Sequence, residues 1–474
     1  MEKDEVGLDA SHHTRIFRRG GENLFFLTSS FNRTPGVELS QMNFPGLFCE
    51  PGGGSSRFRC GRDAADRSPR KEPDRYSPYC SWYTQYSRMI QRLNLQQRLS
   101  RSLRSVPVTV LYGPRQCGKT TLARQIAGTT KAEYFDLEDP VSQRRLSEPM
   151  LALRDLRGLV IIDEVHRQPE LFPVLRVLAD RKPLPARFLI LGSASPELLR
   201  QSSETLAGRI SFLEMNGFDL SEVGNPAQQR LWWRGGFPRS FLARSEDLSR
   251  SWQENFIQTF LERDIHEFGV QVPPVTLRRL WMMLAHYSAQ IWNSSELSRS
   301  LGEAHTTVKR HLDILTGALM VRQLQPWHEN LGKRQVKSPK IYLRDSGLLH
   351  ALLGVPSFRA LTGHPKLGAS WEGFVVEQIL EVVGARNAYF WATQSGAELD
   401  LLLFNGGKRY GVEVKYGDAP GSTKSMRIAL SDLALERLFV VYPGRECYSL
   451  DSRIEVVTLE KIRERLRISR DRPK

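Results

Sequence analysis

The sequence predicts an α/β fold built on a parallel sheet with helices on both faces. Three observations carry that expectation. Short apolar runs alternate with helical stretches between residues 108 and 213; a glycine loop, Gly113–Thr120, joins the first run to a helix; and a later run ends on Asp163 and Glu164. Short buried strands spaced by helices belong in a parallel sheet covered on both sides.

The strand candidates, in order, are Val108–Tyr112, Glu133–Leu137, Leu159–Ile162 and Arg187–Leu191, with Arg209–Leu213 as a fifth. Ahead of them Met89 opens an amphipathic segment with apolar Ile90, Leu93, Leu95, Leu99 and Leu103. Beyond Pro238 the chain reads as helical to about Val321. A basic, β-tending region follows, with a hairpin signal at Phe404–Lys408. Residues 1–88 differ. They are rich in Gly, Ser, Pro and Arg, show no sustained period, and carry 13 Lys/Arg against 11 Asp/Glu. Too little apolar surface recurs there to offset chain entropy, so a disordered leader is expected, or a true start at Met89. The resulting division is 1–88 leader, 89–225 sheet domain, 226–330 helical segment and 331–474 C-terminal domain.

Composition narrows the partners. Hydrophobic residues make up 40% and charged residues 25%, the balance of a soluble globular chain, and the formal net charge is +15. A basic excess favours an acidic partner such as a nucleotide or nucleic acid. The five cysteines show neither CxxC nor Cys/His metal spacing. No apolar run is long enough to span a bilayer, so no membrane partner is expected and the cytoplasm is the default location.

The loop GPRQCGKT matches G-x-x-x-x-G-K-[ST] in its confirming context, after a strand and before a helix. Gly113 and Gly118 permit backbone dihedrals that turn successive N–H groups toward phosphate oxygens, so Gly113, Pro114, Arg115, Gln116, Cys117, Gly118, Lys119, Thr120 and Thr121 form the expected cradle for ATP. The following helix aims its positive end at the same anion. Lys119 would reach the β- and γ-phosphates, and Thr120 would offer its hydroxyl to Mg²⁺. The run Leu159–Ile162 delivers Asp163 to a strand's C-terminal end, where it would hold Mg²⁺ through the metal's water shell; Glu164 would orient and polarise the attacking water. Ser193 closes another strand and is a candidate sensor of the γ-phosphate, lying between the other two strands. Arg209 is a candidate transition-state cation, in cis or toward a neighbouring subunit of a homo-oligomer.

Two further constellations point to nucleic acid. Ser294 and Ser295 cap one short helix, Gly302 breaks it, and a second runs from about Ala304 with apolar Val308, Leu312, Leu315 and Leu319. Two short helices about a glycine turn resemble a helix-turn-helix, with His305, Thr306, Lys309 and Arg310 on or near the exposed side, where they would meet the phosphates or base edges of double-stranded DNA. Further on, Asp400, Glu413 and Lys415 stand as D-x₁₂-E-x-K across a glycine hairpin, similar to the PD-(D/E)xK nuclease core; strand alternation sends Glu413 and Lys415 to one face. In that chemistry the carboxylates hold Mg²⁺ and the lysine helps generate hydroxide. Glu372 is the candidate third carboxylate.

GPRQCGKTTLARQIA, VIIDEVHRQPELFPVLR, LILGSAS, LAGRI, GGFPRSF, FLERDI, KIYLRDSGLL and GAELDLLL…YGVEVK together resemble a group of prokaryotic ATPases in which an AAA-type P-loop domain precedes a C-terminal domain of unknown function. The resemblance spans about residues 89–460. It implies an AAA-like ATPase core, a winged-helix segment and a restriction-nuclease-like C-terminal fold. The expected function is Mg-dependent ATP binding and hydrolysis coupled to DNA or a DNA-bound partner. The alternatives are a nucleotide-dependent binding switch with little hydrolysis and an ATP-regulated DNA nuclease.

Overall fold

A computed structural model of the protein describes residues 17–19, 22–24, 90–193, 204–267, 272–329 and 335–471. The chain divides into two units, residues 1–77 and 78–474. The first contains an antiparallel pair, Phe17–Arg19 with Glu22–Leu24, a regular feature that its composition does not suggest. The rest of the leader lies outside the described residues.

The second unit opens with α1 (Leu93–Ser105), whose Leu95, Leu99 and Leu103 recur every fourth residue and bury one stripe against the sheet. The sheet strands are β1 (Val108–Gly113), β2 (Ala132–Asp136), β3 (Gly158–Asp163), β4 (Ala186–Ser193) and β5 (Ile210–Glu214). Helix α2 (Lys119–Ala127) follows β1, and α3 (Leu171–Ala179) lies between β3 and β4. All the pairings are parallel, in the order β2-β3-β4-β1-β5. The central strands are covered on both faces, which is why they read as unbroken apolar runs. β4 lies between β1 and β3, so the strand ending in Ser193 separates the glycine loop from Asp163.

The helical segment comprises α4 (Gln228–Arg234), α5 (Glu246–Thr259), a π-helical turn at Phe260–Asp264, α6 (Pro274–His286), α7 (Ser294–Leu301) and α8 (His305–Gly317). Gly302 ends α7 at φ +71°, the left-handed C-cap that glycine adopts most cheaply. Strands β6 (Gln290–Ile291), β7 (Val321–Leu324) and β8 (Lys340–Leu343) make an antiparallel sheet with β8 central. This small sheet therefore continues past the expected boundary at 330/331. β8 is fully buried because it has a partner on each side, and those partners are distant in sequence.

After α9 (Ser346–Leu352), the C-terminal domain is a mixed six-stranded sheet with helices on both faces. Helix α10 (Leu367–Val383) is apolar almost all round and packs with α12 (Leu459–Asp471) on one face of the sheet. Helix α11 (Lys424–Asp432) packs on the other. The strands are β9 (Ala388–Ala392), β10 (Glu398–Asn405), β11 (Lys408–Val414), β12 (Arg437–Tyr442), β13 (Tyr448–Ser449) and β14 (Ile454–Thr458), ordered β9-β10-β11-β12-β14-β13. The β10–β11 hairpin turns on Gly406 (φ +59°) and Gly407 (φ +77°), both positive as a two-residue type I′ loop requires. Among the described residues no helix is long and apolar enough to cross a membrane.

Buried Arg344 ties the sheet domain to the C-terminal domain. It pairs with Glu214 at the end of β5 (2.5 Å), donates to Asn216 (3.0 Å), and lies 3.4 Å from Glu377 on α10.

Candidate active site

The glycine loop sits at the C-terminal end of the parallel sheet. Gly118 has φ +102° and Gln116 φ +62°, so two residues adopt left-handed backbone where the chain turns from β1 into α2. A Cβ on Gly113 would lie 2.0 Å from the Met215 carbonyl, so only glycine fits there. Lys119 is 5% exposed and donates from Nζ to the carbonyls of Gly113 and Pro114, both at 3.0 Å. The loop thus holds its own lysine across the cradle, where a phosphate would compete for the same ammonium.

Asp163 is buried at the end of β3. Its Oδ2 accepts from Thr120 Oγ1 (2.8 Å) and from Tyr134 OH (2.6 Å), while Oδ1 accepts from the Glu164 amide (3.0 Å). Burial raises the Asp163 pKa, and the Tyr134 and Thr120 hydrogen bonds oppose that rise. The hydroxyl and carboxylate proposed for magnesium are therefore already in contact. Glu164 sits at φ +53°, an uncommon conformation for a side chain of its size and one that clusters at functional sites. Its Oε2 lies 3.2 Å from His166 Nδ1. Burial would raise its pKa, but the His166 hydrogen bond and the charges of Lys119, His166 and Arg115 outweigh it. Glu164 is held as a carboxylate. Ser193, which pairs with Gly113 across the β1–β4 ladder, is buried, and its hydroxyl has no hydrogen-bond partner among the described residues.

Several contacts here were not apparent in the sequence. Arg115 Nη1 pairs with Asp264 of the FLERDI turn at 2.5 Å, and the two side chains are 17% and 3% exposed. Trp252 donates to Gln116 (3.2 Å). Arg92 reaches the carbonyls of Asn216 (2.9 Å) and Gly217 (2.8 Å), the Cys117 carbonyl (3.4 Å) and Glu222 (2.7 Å). Cys117 itself is fully buried, and Thr121 lies in the first turn of α2. The GGFPRSF and KIYLRDSGLL stretches also meet: Asp345 accepts from Gly236 N (2.7 Å) and Leu348 N (2.9 Å). A Cβ on Gly235 would lie 2.2 Å from Asp345 Oδ1.

Arg209 is elsewhere. It immediately precedes β5, and in a parallel sheet that is the end opposite the glycine loop. Its guanidinium is held by both oxygens of Asp180. It is not placed to act on its own chain's nucleotide.

His305, Thr306, Lys309 and Arg310 lie exposed along α8, with His305 Nδ1 3.0 Å from Ser298 Oγ. In the C-terminal domain Glu372 (α10), Asp400 (β10), Glu413 (β11) and Lys415 come together. Asp400 Oδ2 accepts from Val414 N (2.9 Å), and Lys415 donates to Glu413 Oε1 (2.6 Å). Lys340, which no sequence spacing pointed to, enters the same cluster. Burial and the Asp400 charge push Glu372 up to about 7 and Glu413 up to about 8. Among the described residues no group of three or more His, Cys, Asp or Glu is arranged to hold a metal ion.

Comparison with known proteins agrees with the sheet geometry. Residues 105–224 match the AAA domain family, and residues 225–359 and 367–462 match two domains of unknown function, DUF8612 and DUF4143. Two relatives, Uncharacterized protein Rv2008c of Mycobacterium tuberculosis and Uncharacterized protein Mb2031c of Mycobacterium bovis, are each 52% identical over 374 residues, 79% of this chain and 85% of theirs. This chain belongs to their family. Its sheet domain is an AAA-type P-loop domain, a likeness that supports ATP binding. Among solved structures, the Walker-type ATPase PABY2304 of Pyrococcus abyssi has a TM-score of 0.42 at 16% identity, covering 56% of this chain and 96% of that one. AMPPCP-bound DnaA from Aquifex aeolicus has a TM-score of 0.25 at 17% identity, covering 48% and 87%. At those scores neither likeness decides anything further.

Proposed function

We propose that this protein is a Mg-dependent ATP hydrolase that couples turnover to double-stranded DNA or a DNA-bound partner. The observation that carries the hydrolytic reading is the contact between Thr120 and Asp163 beside an ionised Glu164 at the open end of the sheet. Lys119 would exchange its carbonyl partners for phosphate oxygens, and Thr120 and Asp163 would hold the metal. The metal, when bound, supplies charge neutralisation between the phosphates. Glu164 accepts a hydrogen bond from the attacking water and orients it. Ser193, with a buried hydroxyl lacking a partner among the described residues, reads the terminal phosphate.

The DNA reading is supported by α7 and α8, which with the antiparallel β6–β8 sheet have the parts of a winged helix. Lys309 and Arg310 are exposed on α8 and point away from its buried face of Val308, Leu312 and Leu315. The segment is not remote from the nucleotide: Asp264 and Trp252 hold two residues of the glycine loop. ATP turnover measured with and without double-stranded DNA tests the coupling. DNA should raise turnover. Lys309→Glu with Arg310→Glu should weaken DNA binding and flatten the slope of log affinity against log salt by about 2, the counterions of two phosphate contacts. Unchanged turnover, affinity and slope would remove DNA from the reading.

A further inference from the structure

Lys340 is a buried charge that the ATP site does not use. It lies on the central strand of the small antiparallel sheet, is 2% exposed, and reaches into the C-terminal domain. Its Nζ is 2.8 Å from Glu372 Oε1, 2.9 Å from Asp400 Oδ1 and 2.7 Å from Glu398 Oε1. An ammonium has three N–H donors and no acceptor, and here three carboxylates face it. Tyr342, two residues along β8, donates its hydroxyl to the same Glu372 oxygen at 2.7 Å. The remaining carboxylate, Glu413, is 7% exposed; Lys415 takes Oε1, and Oε2 has no partner among the described residues.

We infer that Lys340 is a built-in cation, seated where the D-x₁₂-E-x-K pattern would place a divalent metal ion, and that the cage takes no metal while β8 is in place. Gathering buried carboxylates is tolerable only with a compensating positive charge or retained protons. Lys340 supplies the charge and uses all its donors doing so, and a metal ion in the same space would meet a fixed positive group. Glu413 Oε2 is what the arrangement leaves over: once its carboxyl gives up its proton, an acceptor for a cation with a larger coordination shell than an ammonium. Lys340 is thus the lock on a latent divalent-cation site made by Glu372, Asp400 and Glu413. The inference is independent of the ATP reading.

The test is Mn²⁺ uptake by the full chain without nucleotide, followed by the loss of the free-ion electron paramagnetic resonance signal. The parent should take up no Mn²⁺ that depends on Glu413. Lys340→Met should take up one equivalent. Adding Glu413→Gln should weaken that uptake by at least about tenfold, since even an outer-shell partner is worth about 10–100-fold in metal affinity. Lys340→Gln, which keeps a neutral donor in the cage, is the second variant should Lys340→Met not fold. Two results overturn the inference. One is uptake by the parent that Glu413→Gln abolishes. The other is a Lys340 variant with the parent's near-ultraviolet circular dichroism that takes up no more Mn²⁺ than the parent.

Discussion

His350 makes stability depend on pH in a window that can be calculated. It is 1% exposed, stacked on Trp233, and fixed by a directed chain of hydrogen bonds. Trp232 donates to Ser370 Oγ (2.9 Å), Ser370 Oγ lies 2.7 Å from His350 Nε2, and His350 Nδ1 lies 3.0 Å from the Trp233 carbonyl. Since that carbonyl can only accept, Nδ1 carries the proton and Nε2 accepts from Ser370. A second ring proton would point at a hydroxyl already receiving the Trp232 N–H. Burial is the main cause that pushes His350 from the ordinary 6.5 down to about 4. Between those values the unfolded chain binds a proton that the folded chain refuses, so stability falls as pH falls through the window and is retained above it. The difference in proton affinity makes this contribution about 2 kcal/mol smaller at pH 5 than at pH 7. Urea unfolding followed by tryptophan fluorescence, at both pH values and on the parent and His350→Gln, isolates it, because other titrating groups are common to the two proteins. The parent should lose about 2 kcal/mol more than the variant on acidification. Equal losses would mean that His350 accepts its proton in the folded chain, and the assigned tautomer would fall.

Two predictions concern the nucleotide. Lys119→Ala should damage ATP affinity and turnover together, whereas Glu164→Gln should leave binding of a fluorescent analogue intact and lower turnover by about 10²–10⁴; a fast Glu164→Gln enzyme would remove Glu164 from the water-positioning role. Asp264→Ala strips Arg115 of a largely buried partner but leaves Glu138 3.6 Å from the same guanidinium, so it should cost about 1–3 kcal/mol of stability by denaturant titration, with weaker analogue binding because the glycine loop loses its clamp. A loss under about 1 kcal/mol, the range of exposed pairs, would show that the clamp does not matter.

Features made of neighbouring residues were legible in the sequence. The glycine loop is one continuous segment, the five parallel strands announce themselves as apolar runs, and the β10–β11 hairpin is written in two adjacent glycines. Asp163 could be placed because a strand delivers it. Contacts that bridge the chain could not be read. Tyr134 meets Asp163 across two strands, Arg92 meets Glu222 over 130 residues, and Arg115 meets Asp264 over 149. Spacing has no signal for any of them, since each is set by how packed elements face one another. Lys340 was hidden for another reason. In a basic stretch it looks like one more solvated lysine, and only the pairing of β8 on both edges buries it. Arg209 is different again. It stands just before its strand, and the polarity of a parallel sheet places that position away from its own chain's glycine loop.

Arg344 has a consequence for how this protein can be taken apart. It sits at the same sheet end as the glycine loop, joined to Glu214 on one side and near Glu377 on the other. An excised fragment ending after the AAA-type domain would keep the cradle but surrender that arginine, leaving Glu214 without its guanidinium beside the loop that follows β5. The domain boundaries visible in the sequence are therefore poor places to cut. A fragment that keeps both contacts has to include Arg92, which reaches the glycine loop from upstream, and Arg344 together with the C-terminal sheet on which α10 packs.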